Sequence, residues 1–239
     1  TSVNTRKSDY GTAFFGDKVV FSTSRDTTGF ARVQTRWTNQ SFTNFYVSKR
    51  TEESDLINPE RFSKTINSKF HEDTPVFTKD LKTVYFTRNN YTEGKIGRDD
   101  KQIINLKLYK AVLNSDGKWE NVTELPFNSN SYSVAHPALS PDEKTLYFAS
   151  NMPGTNGQSD IFKVAILGDN QYGTPEKLSN EINTEARETF PFITQDNELY
   201  FASDGHQGLG GLDVFVTKIN PDGSIGPVMN LGTPINGPM

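Results

Sequence analysis

His136-Pro137-Ala138-Leu139, Ser140-Pro141-Asp142-Glu143-Lys144, Thr145-Leu146-Tyr147-Phe148-Ala149-Ser150 and, after the polar stretch 151–159, Asp160-Ile161-Phe162-Lys163-Val164 decide the fold. Pro141 and Asp142 preset a turn between two apolar runs, and Leu146-Tyr147-Phe148 is built of strand-forming residues. The last run alternates apolar and polar, as a half-buried strand does. The stretch is therefore a β-meander.

Working outward, the aromatic-ended strand recurs. Val19-Val20-Phe21, Val84-Tyr85-Phe86 and Leu199-Tyr200-Phe201 match Leu146-Tyr147-Phe148, with the phenylalanines 65, 62 and 53 residues apart. Other positions keep the phase. Thr74-Pro75-Val76-Phe77, His136-Pro137-Ala138-Leu139 and Phe190-Pro191-Phe192-Ile193 precede it, with Thr12-Ala13-Phe14 as a version lacking the proline. Asn44-Phe45-Tyr46, Leu108-Tyr109, Asp160-Ile161-Phe162 and Asp213-Val214-Phe215 follow it. A fourth strand is expected near Arg61-Phe62, Trp119-Val122, Lys177-Leu178 and Val228-Leu231. Four short strands per repeat make a propeller blade. The expectation is an all-β protein, a β-propeller of four-stranded antiparallel blades at about 4–66, 67–127, 128–182 and 183–236, forming one domain or segment over 1–239. Val3-Asn4, Ile66-Asn67, Phe127-Asn128, Ile182-Asn183 and Ile235-Asn236 mark the boundaries. Four blades either close a small ring or continue into blades outside this chain.

Composition agrees. The 239 residues carry a net charge of −4, which argues against a nucleic-acid surface, and no apolar run approaches the roughly 18 residues of a membrane span. With no cysteine there are no disulfides, thiolate metal sites or cysteine nucleophiles. Thr1 to Tyr10 is polar and does not resemble a secretory leader, the expectation for a mature or excised segment.

Candidate sites are few. The Gly205–Gly211 loop is glycine-rich, but a strand follows it where a phosphate cradle needs a helix, so a tight inter-strand loop is expected and no cofactor. Asp160 and Asp213 open third strands and are expected to accept hydrogen bonds from their own loops rather than hold a metal, since Asn44 takes that place in the first repeat. His71, His136 and His206 lie at dissimilar positions, without ligand spacing. Ser115-Asp116-Gly117-Lys118-Trp119 has the letters of a sialidase-type turn at the wrong spacing, and no Gly-x-Ser-x-Gly elbow is present. No catalytic or metal residue is therefore expected. The insertions 25–44 and 89–103 depart from the repeat. In the first, Arg32, Arg36, Trp37 and Phe42 combine guanidinium and aromatic groups of the kind that grip a protein partner; an elongated hairpin capping its own blade is the plainer alternative.

Ser140-Pro141-Asp142, Leu146-Tyr147-Phe148-Ala149-Ser150-Asn151 and Asp160-Ile161-Phe162 resemble the WD-repeat-like Pro-Asp repeat of TolB-like β-propellers. The run from Phe201-Ala202-Ser203-Asp204-Gly205 to Asp213-Val214-Phe215, leading into Asn230-Leu231-Gly232-Thr233-Pro234-Ile235-Asn236, is similar to propellers of OmpA-family, peptidoglycan-associated outer-membrane proteins of Bacteroidetes, including PorE-like members of the type IX secretion system. The first repeat lacks the Pro-Asp turn, and the second has Thr78-Lys79-Asp80. The resemblance implies a propeller that is often six-bladed, placed in the periplasm and associated with the outer membrane. It implies a non-enzymatic scaffold that binds envelope proteins such as secretion-system components, and that reaches peptidoglycan only through a domain absent from this chain. The rival readings are a carbohydrate- or small-ligand-binding propeller and a propeller hydrolase or lyase using Asp160, Asp213, Glu188 and His206.

Overall fold

The computed structural model describes residues 3–25, 41–168 and 170–238. Among them every helix or strand element is a strand, and no helix is long and apolar enough to cross a membrane. The chain divides into two compact units, Thr1–Leu125 and Pro126–Met239.

The first unit holds two antiparallel sheets. Blade 1 runs in the order β1 (Asp9–Phe15), β2 (Lys18–Thr23), β3 (Asn44–Arg50), β4 (Leu56–Arg61). In blade 2, β5 (Glu72–Phe77) and β6 (Thr83–Asn89) are followed by a small hairpin, β7 (Tyr91–Thr92) with β8 (Lys95–Ile96). The sheet then finishes with β9 (Leu106–Leu113) and β10 (Trp119–Glu124). In the second unit, blade 3 comprises β11 (Val134–Leu139), β12 (Thr145–Ser150) and β13 (Asp160–Gly168). Its fourth place is shared by β14 (Gln171–Tyr172) and β15 (Glu176–Lys177), both paired with β13. Blade 4 is β16 (Glu188–Ile193), β17 (Glu198–Ser203), β18 (Asp213–Lys218) and β19 (Met229–Asn230). The fold class is as the repeat predicts: all-β, with four antiparallel propeller blades.

Recurrent side chains build each blade. In the first hairpin of blade 3, Asp142 Oδ1 accepts from the Ser140 hydroxyl at 2.6 Å and from Lys144 N at 3.1 Å, and Ser140 Oγ accepts from Thr145 N at 3.0 Å. Thr78, Asp80, Lys82 and Thr83 repeat the arrangement in blade 2, so the missing proline there costs the turn none of these bonds. The boundary asparagines act as an extra ladder rung. Asn67 Oδ1 accepts from Phe45 N at 2.8 Å while its Nδ2 donates to Phe45 O at 2.9 Å. Asn183 clasps Ile161 at 2.7 and 3.0 Å, and Asn236 clasps Val214 at 2.8 and 2.9 Å. A primary amide can do this because it offers one donor and one acceptor side by side, as a peptide does.

The first strand of every blade carries a bulge. Register shifts between Tyr10/Ala13, Asp73/Val76, Ala135/Ala138 and Thr189/Phe192, each time at a residue with positive φ: Gly11 (62°), Thr74 (43°), His136 (56°) or Phe190 (50°). Gly11 is needed for space as well, since a Cβ there would lie 2.9 Å from Asp73 Oδ1 and 3.1 Å from Thr74 N.

The cores lie between blades inside each unit. Phe45, Phe86 and Tyr109 are fully buried in the first, and Ile161, Leu199 and Phe201 at most 1% exposed in the second. Phe148, Phe162 and Phe215 of the repeated strands are buried, whereas Phe192 is 61% exposed. Its counterpart Ala138 joins a core shared with Ile193 of the next blade, whereas nothing in that core cluster covers Phe192.

Candidate functional site

A carboxylate stands at the start of the first strand in three blades, and each is occupied internally. Asp9 accepts from Thr5 N at 2.6 Å, the Thr5 and Thr23 hydroxyls at 2.9 and 2.6 Å, and Arg25 at 3.0 Å. Burial works to raise its pKa, but these bonds outweigh burial and hold it below the usual carboxylate range. Glu188 is fully buried and accepts from Thr184 N (2.8 Å), the Thr184 hydroxyl (2.7 Å) and the Ser203 hydroxyl (2.6 Å). Glu72 has Ser68 in the place of Thr184 but faces Arg88 Nε at 3.0 Å where Glu188 faces Ser203. Burial pushes Glu72 up to about 7 despite the guanidinium and the Ser68 bonds.

The residues from which a propeller enzyme would be built are each engaged through at least one polar atom, although the buried Asp160 Oδ1 has no hydrogen-bond partner among the described residues. Asp160 Oδ2 accepts from Asn156 N of its own loop at 2.8 Å, and Asp213 Oδ2 accepts from Leu209 N and from Gly210 N. The amides of the glycine-rich loop thus face its own Asp213, with Gly205 N and His206 N directed to Ser203 Oγ. His206 Nε2 donates to Ile182 O at 2.8 Å. His136 stacks on Phe190 with ring centres 3.9 Å apart, and burial lowers its pKa to about 4. His71 Nδ1 accepts from Thr43 N at 3.1 Å, and burial drops it to about 4 as well. Among the described residues no three His, Asp or Glu side chains group as a metal site would require.

Arg32, Arg36 and Trp37 lie outside the described residues. Phe42, at the end of the same insertion, is half-buried, 5.5 Å from the Phe70 ring and 4.5 Å from the His71 ring. Phe70 in turn packs on Tyr91 at 4.8 Å. The two insertions therefore meet at one aromatic row, an adjacency the sequence does not reveal because their residues lie about fifty positions apart.

Tyr91 opens onto a cleft of about 540 Å³ bounded by Thr65, Asn67, Ser68 and Lys69 of the blade boundary, Arg88 and Tyr109 of the sheet, Thr92 and Glu93 of the hairpin, and Val122. Its floor is fixed. Tyr109 Oη accepts from Tyr91 N and donates to Tyr91 O, both at 3.3 Å, and lies 3.0 Å from the Thr92 hydroxyl. Burial pushes this phenol up to about 12. Thr92 also bonds Glu124, which pairs with Lys107 Nζ at 2.8 Å. Burial works to raise Glu124, but the Lys107 and Thr92 bonds outweigh it and keep it ionised at neutral pH. Arg88 is anchored by Glu72 and by Ile66 O, its guanidinium 5.1 Å from the Phe86 ring and 4.9 Å from the Tyr109 ring.

No family model and no curated protein matches the chain. Solved structures do: TolB from Acinetobacter baumannii superposes with a TM-score of 0.54 at 14% identity, over 98% of this chain and 46% of that one. The putative TolB from Agrobacterium tumefaciens gives 0.51 at 20% identity, over 91% and 61%. This is a TolB-like β-propeller fold. An α-L-arabinofuranosidase from Lactobacillus brevis matches as well, at 0.55 and 10% identity over 94% and 71%, so the likeness speaks to TolB-like architecture and not to activity. The chain spans about half the length of the first of these TolB proteins.

Proposed function

We propose that this chain is a non-enzymatic, protein-binding scaffold domain of a periplasmic, outer-membrane-associated protein of the OmpA family. In that role it links an envelope complex such as type IX secretion to peptidoglycan through a domain outside this chain. One observation supports the binding role above the enzymatic one: Asp160, Asp213, Glu188 and His206 are each engaged by hydrogen bonds in or beside their own loops. Acid–base or nucleophilic work needs such groups convergent on a substrate. The proposed contacts to a partner are in the insertions, where Arg32, Arg36, Trp37 and Phe42 combine guanidinium and aromatic groups.

Affinity capture from envelope extract tests this, comparing the intact chain with a variant lacking residues 27–41. The expected result is a defined envelope protein retained by the intact chain and lost by the variant. Retention of every partner by the variant contradicts the assignment of the interface. Turnover of chromogenic glycoside or peptide substrates that is abolished by Asp213→Asn would establish the enzyme instead.

A further inference from the structure

The cleft beside Tyr91 goes beyond a protein interface. We infer that it is a saccharide-binding site, with the Tyr91 ring as stacking platform and Lys69 and Glu93 as the polar contacts.

The platform is preorganised. Both backbone polar groups of Tyr91 are held by the Tyr109 hydroxyl, its ring rests on Phe70 at 4.8 Å, and Thr92 ties the hairpin to Glu124. A ligand meeting this ring does not have to order it, which removes a principal cost of binding. The remaining half-buried surface of Tyr91 faces a concavity of about 540 Å³, within the range of small-ligand sites.

The ligand class follows from the groups still available. Asn67 is engaged with Phe45, Arg88 with Glu72 and Ile66, and Thr92 with Tyr109 and Glu124. The exposed Lys69 ammonium lies over the face of the Tyr91 ring, 5.4 Å from its centre, so a ligand that stacks there moves it to the rim, and the exposed Glu93 carboxylate lines the same cleft. An ammonium only donates and an ionised carboxylate only accepts. A ligand of one charge sign would satisfy one of them and be opposed by the other. Hydroxyl groups satisfy both, because each donates and accepts, and a pyranose adds an apolar C–H face that matches an aromatic ring.

The test is titration of the 239-residue chain with cellobiose, maltose, lactose and N,N′-diacetylchitobiose, followed by saturation-transfer NMR and calorimetry, with glycine and glutamate as zwitterionic competitors. At least one disaccharide should bind with Kd below about 10 mM. Tyr91→Ala should weaken it by about tenfold or more, while Tyr91→Phe, which keeps the ring, should stay within about twofold. Lys69→Ala and Glu93→Ala, both at exposed positions, should each weaken it by about threefold or more, and they decide the matter should Tyr91→Ala not fold. Absence of disaccharide binding, affinity unchanged in all of these alanine variants, or displacement by the amino acids overturns the inference.

Discussion

Blades 2 and 4 fill the same slot with different chemistry. In blade 4, Glu188 sits among two hydroxyls and a backbone amide. In blade 2, the residue opposite the acid is Arg88 where blade 4 has Ser203, and the hydroxyl contact becomes a buried ion pair with Glu72. The serine version ties two strands together and anchors the amides of Gly205 and His206 in the loop that follows. Arg88 ties the strands too, and it also donates to Ile66 O and forms part of the cleft wall beneath Tyr91. A repeat can therefore keep its fold while one position, altered in one blade, builds a surface the other lacks.

The largest expected effects should not distinguish the blades at all. Phe86→Ala, Phe148→Ala and Phe201→Ala remove the same, almost fully buried ring and should each cost about 3 to 5 kcal/mol in urea unfolding. A variant that unfolds like the parent would break the register on which the comparison stands. The slot itself should separate the blades. At about pH 8, Arg88→Ala leaves Glu72 buried without its partner and should cost about 3 to 5 kcal/mol. Ser203→Ala leaves Glu188 both Thr184 bonds and should cost about 1 to 3 kcal/mol. Equal costs would mean that the two chemistries are interchangeable.

A pH series sharpens the contrast. Burial raises Glu72 to about 7 and Asp73 to about 6, so the folded chain holds protons that the unfolded chain has released. Their contribution is complete below the ordinary carboxylate range and is lost as pH rises through the folded values. His71 and His136, which burial lowers to about 4, act in the opposite sense, because the unfolded chain binds protons there that the folded chain does not. The melting temperature of the parent should therefore change little from about pH 5 to about pH 8, and Glu72→Gln, which removes one declining contribution, should make it rise over that window. A Glu72→Gln variant whose profile over this window matches the parent's contradicts the burial-dominated reading. The clasps should match the serine slot in size: Asn67→Ala and Asn183→Ala each free a backbone pair and should cost about 1 to 3 kcal/mol alike in both units.

Much of the architecture was legible because it repeats. The aromatic strands, the Asp142 and Asp80 turns and the loop-anchoring role of Asp160 and Asp213 all follow from local chemistry that recurs in phase. The boundary asparagines were visible as markers, though their clasping role was not, since their partners lie 22 residues away. The exposure of Phe192 was not legible, because burial in a blade depends on what covers its face, which a strand pattern does not encode. The acid slot carries a signal of its own: Thr5 to Asp9, Ser68 to Glu72 and Thr184 to Glu188 share one spacing. Against that regularity, Arg88 stands out among Thr23, Ser150 and Ser203. The cleft was not legible, because it needs Phe70, Tyr91 and Tyr109 brought together across the blade.

The central claim is that the regular repeat is structural and recognition lies where it is broken. Hydrogen–deuterium exchange of the chain, with and without the envelope protein it captures, tests this most directly. The expected result is new protection in residues 41–47 and 89–105, with none in the 205–213 loop, whose amides already face Asp213 and Ser203. Protection centred on 205–213, with 41–47 and 89–105 unchanged, would contradict it.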